Sequence, residues 1–343
     1  MNFVKNLQGI KNMTHQNQNF EARLLTPNDY KGFATVYDDF VNRAVDEYNF
    51  ELEPLDFEGF IDAVEKKLIE CVVLFESSVP VAFLVYTTAI SEAIELNIIH
   101  SFKMEDIVER AMYLIKKFLE LTKAERLDKI VCYPMLGAQK NLIGDIARYG
   151  FKFVGIAVLR FMMSGTNSRD ILKITQLTPL DNEYKLVDWR DKYFEDAVEV
   201  VQEGFEDSAD ALFDPRFKTI DGTRDIITKI VKNIYAEFLP EATTVLLYNN
   251  IPVGFCFMNL TGGRIANIPI VAIRKEHQGK GLSKHMLKKS VERLIDITDN
   301  GLKPISEVNT TTETNNFQAL KMYRHLGFKE DYNYPQSYLP TKD

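Results

Sequence analysis

The chain repeats itself, and this limits its possible folds more than any other feature. Residues 72–86, VVLFESSVPVAFLVY, lie over residues 244–258, TVLLYNNIPVGFCFM. Val73/Val245, Leu74/Leu246, Pro80/Pro252, Val81/Val253 and Phe83/Phe255 coincide at a constant offset of 172 residues. Each copy reads as a β-hairpin, with two β-rich runs flanking a polar turn, Glu76-Ser77-Ser78 in one and Tyr248-Asn249-Asn250 in the other. RYGFK (148–152) is echoed by HLGFK (325–329), and LLTPND (24–29) more weakly by LVDWRD (186–191). Three echoes in the same order indicate one unit present twice. A length of 343 residues accommodates two domains.

Between the echoes the halves read alike. In 104–125, Ile107, Ala111, Leu114, Ile115 and Phe118 recur at helical spacing. In 283–298, Met286, Leu287, Val291, Leu294 and Ile295 do the same. Each half then closes with a strand, a short helix and a last strand. Hairpins alternating with helices predict an α/β fold, with a mixed, mostly antiparallel sheet flanked by helices in each half. The predicted layout is a polar arm at 1–19, a first domain at 20–165 and a second at 180–343, joined by the turn-rich stretch 166–184.

Composition narrows the function. A net charge of −8 disfavours a nucleic-acid backbone as partner. No apolar run reaches the roughly 18 residues of a membrane span. The N-terminus lacks the apolar stretch of a secretory signal. Cys71, Cys132 and Cys256 sit in apolar runs without C-x-x-C spacing, as free buried thiols of a reducing cytoplasm do. A cytoplasmic monomer or homodimer is the expectation, with no metal site.

The chemistry concentrates at 266–294. A β-branched run, Ile268–Ile273, ends in a charged turn, and Gln278-Gly279-Lys280-Gly281-Leu282-Ser283 opens a helix. Glycines let a backbone approach a ligand closely. The free amides and dipole of a new helix attract phosphate. A dinucleotide fingerprint would need glycine at 284, where the chain has Lys284, and the Walker pattern is absent.

This segment resembles the GNAT acetyltransferase superfamily. Its pattern Gln/Arg-x-x-Gly-x-Gly/Ala is met by Gln278 and Gly281, with the small Ser283 in third place. Pro269 stands in the preceding strand, where family members carry a bulge that admits the cofactor. The second family pattern, Asn-x-x-Ala-x-x-(apolar)-Tyr followed by Gly-Phe, is met by Asn316, Ala319, Met322, Tyr323 and Gly327-Phe328.

The resemblance implies an acetyl-CoA-dependent N-acetyltransferase acting on a small-molecule or peptide amine. Val271, Ala272 and Ile273 would hold the acetyl carbonyl and pantetheine through their backbone. Gln278, Gly279, Lys280, Gly281, Leu282 and Ser283 would cradle the pyrophosphate, and Asn316 would contact the pantetheine arm. Tyr323 would be the general acid. Many family members place a Glu in the strand before the loop, and this chain has none there. Glu307 and Glu313 are the candidate bases. Five acidic residues between Glu203 and Asp214 (Glu203, Glu206, Asp207, Asp210 and Asp214) border the acceptor side in the family and could attract a cationic amine. The first half has no glycine between Gly59 and Gly137, and Ile146 stands where Tyr323 would fall. It reads as a degenerate, non-catalytic copy. The alternative reading is an acyl-CoA-binding or sensing protein without catalysis.

Overall fold

The computed structural model describes residues 20–50, 53–88, 93–163 and 168–341. The arm at 1–19 lies outside the described residues. In chain order the first half supplies β1 (Phe20–Leu24), α1 (Tyr30–Tyr48), α2 (Phe57–Glu65), β2 (Glu70–Glu76), β3 (Val79–Thr87), β4 (Ala93–Ser101), α3 (Ile107–Leu121), β5 (Ile130–Pro134), α4 (Ile143–Ile146) and β6 (Lys152–Met162). The second half supplies α5 (Ser168–Ile174), β7 (Tyr184–Asp188), α6 (Phe194–Phe205), α7 (Asp210–Phe213), α8 (Ile220–Val231), β8 (Glu237–Phe238), β9 (Thr244–Tyr248) and β10 (Ile251–Cys256). It continues with β11 (Asn259–Thr261), β12 (Ile265–Asn267), β13 (Val271–Ile273), α9 (Leu282–Asp299), β14 (Glu307–Glu313), α10 (Phe317–His325) and β15 (Lys329–Leu339). The repeat read from sequence is visible as a shared order: strand, helices, hairpin, further strand, long helix, strand, short helix, strand. Among the described residues, no helix is long and apolar enough to cross a membrane.

The chain packs as two compact units, and their division does not fall at the stretch 166–184. One unit takes residues up to 87, 96–125 and 141–149, and the other takes 88–95, 126–140 and the chain from 150 onward. In the first unit β2 pairs antiparallel with β1 and β3. α1 and α3 bury Phe33, Tyr37, Phe40, Leu114 and Phe118, the apolar stripes that their spacing predicts. Ser77 and Ser78 turn the hairpin with φ of 49° and 70°; Asn249 and Asn250 turn its counterpart with 47° and 67°. Two positive φ angles in a two-residue loop match the right-handed twist of the flanking strands.

The second unit contains a sheet that runs β5, β15, β6, β14, β12, β11, β8, and another that runs β13, β10, β9, β7. The order β5–β15–β6–β14 alternates strands from the two halves of the sequence. Ser337 pairs with Tyr133 on one side and Phe153 on the other, while Thr310 pairs with Leu159. Beneath the sheets, α9 buries Met286, Leu287, Val291, Leu294 and Ile295 in a cluster with Leu246, Cys256 and Tyr323.

Candidate active site

The site forms where one strand abandons its sheet. β12 pairs parallel with β14, Ile265 to Asn267 lying opposite Glu307 to Asn309. Ile268 N–H makes a further link to the Asn309 carbonyl at 3.0 Å. Pro269 follows, with no N–H to donate. β13 then pairs antiparallel with β10 in the other sheet. Phe257 N–H donates to the Ile270 carbonyl at 3.0 Å, and Arg274 N–H donates to the Val253 carbonyl at 2.9 Å. Residues 270, 272 and 274 therefore direct their backbone groups to β10. By the alternation of an antiparallel ladder, Val271 and Ile273 direct theirs the opposite way, into the gap left by β14.

That gap is a cleft of about 530 Å³. Val271, Ile273, Gln278, Gly279, Gly281, Leu282, Ser283, Glu313, Asn316 and Tyr323 all line it. Gly279 and Gly281 adopt φ of +77° and +75°, the left-handed region that favours glycine, with open space where a Cβ would stand. No side chain caps the N-terminus of α9. Lys284 N–H turns back to the Gly281 carbonyl, whereas the amides of Leu282 and Ser283 precede any intrahelical acceptor. Gln278 Nε2 donates to the Ile273 carbonyl at 2.9 Å and ties the loop to the strand. The backbone thus presents a line of donors suited to a pyrophosphate and an amide-bearing arm.

Tyr323 lines the same cleft. It is buried, and burial raises its phenol well above the ordinary tyrosine value, with smaller contributions from Cys256 and Asp210. The Thr310 hydroxyl lies 3.4 Å from Tyr323 Oη and 3.3 Å from the Ile268 carbonyl, two long contacts that share its single proton. Cys256, opposite Val271 in the ladder, has its thiol pushed up to about 12 by burial. Asn316 caps α10, its Oδ1 accepting from Ala319 N–H at 3.1 Å, which leaves its amide nitrogen for a ligand.

Three of the expected residues do not line the cleft. The Ala272 side chain faces the apolar cluster of Trp189, Phe255 and Phe257 rather than the cleft. Lys280 does not line the cleft; its Nζ lies 3.3 Å from the Tyr184 hydroxyl, to which it donates. Glu307 lies outside the cleft and is held by Arg160 at 2.9 Å, so among the two expected bases only Glu313 has access.

Of the five acidic residues between 203 and 214, Asp210 alone lines the cleft. Glu203 pairs with Arg274, Glu206 and Asp207 with Lys275, and Asp214 with Arg216. Asp210 is crowded by the cleft walls yet open to its interior; burial and then Glu313 raise its pKa. Thr310, which touches Tyr323, carried no sequence signal beyond its strand.

In the first half the loop after β4 keeps the left-handed backbone without the glycines: Lys103, Met104 and Asp106 have φ of 54°, 57° and 45°. Its amide is already satisfied, Lys103 N–H donating to Asp39 Oδ2 at 2.9 Å. His100 Nε2 lies 3.0 Å from the same oxygen.

Comparison with known proteins agrees with this geometry. Residues 240–330 match the family profile described as Acetyltransferase (GNAT) domain. A search of curated proteins found no significant match. The fold is similar to that of a GCN5-related N-acetyltransferase from Sphaerobacter thermophilus, at 15% identity and TM-score 0.62, covering 94% of this chain and 96% of that one. It is also similar to a tandem GNAT protein from the clavulanic acid biosynthesis pathway, at 13% identity and TM-score 0.58, covering 94% and 99%. Residues 240–330 are a GNAT acetyltransferase domain, set in a chain with the fold of a tandem GNAT protein.

Proposed function

We propose that the protein transfers an acetyl group from acetyl-CoA to a primary amine. The observation that carries this reading is the parting of β13 from β14 at Pro269, directly before the left-handed glycines Gly279 and Gly281. Bound acetyl-CoA supplies an activated acetyl thioester. The amides of Val271 and Ile273 would hold its carbonyl and pantetheine arm, and those of 279–283 its pyrophosphate. Asn316 would offer its amide nitrogen to the arm.

Tyr323 keeps a proton at Oη for the leaving sulfur. A buried phenol raised in pKa stays protonated at every working pH. Burial raises a thiol as it raises a phenol, the direction taken by the neighbouring Cys256, and a leaving thiolate held in the same cleft would be shifted the same way. Glu313 and Asp210 are the carboxylates in the cleft able to take the proton that an amine sheds.

Calorimetric titration with acetyl-CoA tests the reading. One equivalent should bind, and Gly281→Glu should abolish binding, because the new carboxylate meets a phosphate on a strained backbone. Absence of binding to the unmodified chain would overturn the proposal. Two equivalents would assign a second site to the first half, against the reading of its loop as already satisfied by Asp39.

A further inference from the structure

The two halves share a contact that their sequence echoes do not disclose. In the first, Asp39 of α1 accepts through Oδ2 from the main-chain N–H of Lys103 at 2.9 Å. In the second, Glu203 of α6 accepts through Oε1 from the main-chain N–H of Lys275 at 2.7 Å. The positions are equivalent on both sides. Asp39 and Glu203 each stand nine residues after the first residue of their helix, Tyr30 and Phe194. Lys103 and Lys275 each stand two residues past the end of the preceding strand, Ser101 and Ile273, and are 172 residues apart, the offset of the hairpins.

The left-handed residues also coincide when counted back from the following helix. Met104 and Asp106 precede Ile107 by three and one residues, and Gly279 and Gly281 precede Leu282 by the same steps. The loops therefore differ between the contact and the left-handed pair. Lys103 adjoins Met104, whereas Glu276, His277 and Gln278 stand between Lys275 and Gly279. These three residues extend a single turn, with His277 N–H donating to the Arg274 carbonyl at 2.9 Å and Gln278 N–H to the Lys275 carbonyl at 3.2 Å. An anion site needs amides that no internal carboxylate occupies. In the first half the carboxylate sits beside the left-handed pair; in the second the added turn carries that pair away from it.

Glu203 is itself held in place. Its Oε2 meets Arg274 Nη1 at 3.1 Å, while Arg274 N–H is fixed to the Val253 carbonyl at 2.9 Å. Gly204, next in α6, packs on β13, where an added Cβ would lie 3.6 Å from that of Ala272. The N–H of Lys275 opens the turn and has no acceptor within it, so the carboxylate of Glu203 caps it from a neighbouring helix.

We propose that Glu203 is a positioning residue of the cofactor site, fixing the turn at 275–277 so that the amides of 279–283 face the pyrophosphate. Its effect on cofactor binding rests on the acetyltransferase reading; its effect on the order of the loop does not. The full chain and its variants are titrated calorimetrically with acetyl-CoA, and amide hydrogen exchange is followed in the unliganded proteins. Glu203→Ala should weaken acetyl-CoA binding about tenfold, as loss of one charge-assisted hydrogen bond would. Glu203→Gln, whose amide oxygen still accepts from Lys275, should stay within about threefold. Asp39→Ala, which removes the equivalent contact from the first half, should stay within about twofold. Exchange of the Lys275 amide should quicken about tenfold in Glu203→Ala and hardly change in Glu203→Gln. Unaltered binding by Glu203→Ala, or a Gln variant as weak as the Ala variant, would overturn the proposal. So would equal losses in Asp39→Ala and Glu203→Ala, which general destabilisation would explain. If the unmodified chain binds no acetyl-CoA, the acetyltransferase reading falls, and exchange at Lys275 alone decides whether Glu203 orders the loop.

Discussion

Gln278 donates its side-chain amide to the main-chain carbonyl of Ile273 at 2.9 Å, joining the first residue of the glycine loop to the last residue of the splayed strand. The bond sets the angle at which the loop leaves β13. Gln278→Ala should weaken acetyl-CoA binding about tenfold while lowering stability by only about 1 kcal/mol, the net worth of one partly exposed hydrogen bond. Calorimetry and urea denaturation separate the two effects.

Tyr323→Phe should lower kcat by about 10²–10⁴-fold, the usual contribution of a positioned acid. Its one hydrogen bond at Oη among the described residues is long, at 3.4 Å, so stability and acetyl-CoA affinity should hardly change. Steady-state kinetics with a fixed amine checks this, and equal kcat would remove Tyr323 from the chemistry.

His100 makes stability depend on pH. Burial depresses its folded pKa to about 4, against an ordinary 6.5, while Asp39 pulls the other way. The folded state therefore binds fewer protons than the unfolded chain between these values. Stability should be complete above pH 6.5 and fall as the pH drops towards 4, by up to about 3 kcal/mol. Tyr48, Asp39 and Arg43 face the ring and its partner, and His100→Gln should flatten the profile. Denaturant midpoints measured from pH 7 to pH 4 give the comparison.

Gly222→Ala should destabilise by about 1–3 kcal/mol or more, because the new Cβ would lie 2.4 Å from the Arg216 carbonyl oxygen and 2.6 Å from its Cα. Both are main-chain atoms of Arg216, which no change of rotamer moves away. Arg216 also grips Asp214 and Asp225, so the strain should reach the turn that carries Asp210. A thermal melt, with acetyl-CoA affinity as a second readout, tests both consequences.

What could be read in the sequence was what depends on neighbours along the chain. The hairpins, the amphipathic stripes of α3 and α9, the glycine loop and the α10 motif each lie within about twenty residues and were legible. The fate of a carboxylate was not. Glu307 is claimed by Arg160, 147 positions away, and Glu203 by Arg274, 71 positions away. Such pairings decide that Asp210 and Glu313, rather than Glu307, face the cleft, and no local spacing encodes them. Ala272 and Lys280 stand beside cleft residues in sequence but point elsewhere, because a strand sends neighbours to opposite faces and a loop turns each residue separately.

The interleaved ladder β5–β15–β6–β14 carries a consequence for synthesis. When β6 leaves the ribosome at residue 162, β15, the strand that separates it from β5, begins 167 residues later, at 329. At 5–20 residues per second the interval is roughly 8–33 s. For that time β5 and β6 each offer an unpaired edge, the feature through which nascent chains stick to one another. The strands β5 and β6 of the first half are thus completed only by the last strand of the second, and premature termination before residue 329 leaves both without the partner between them.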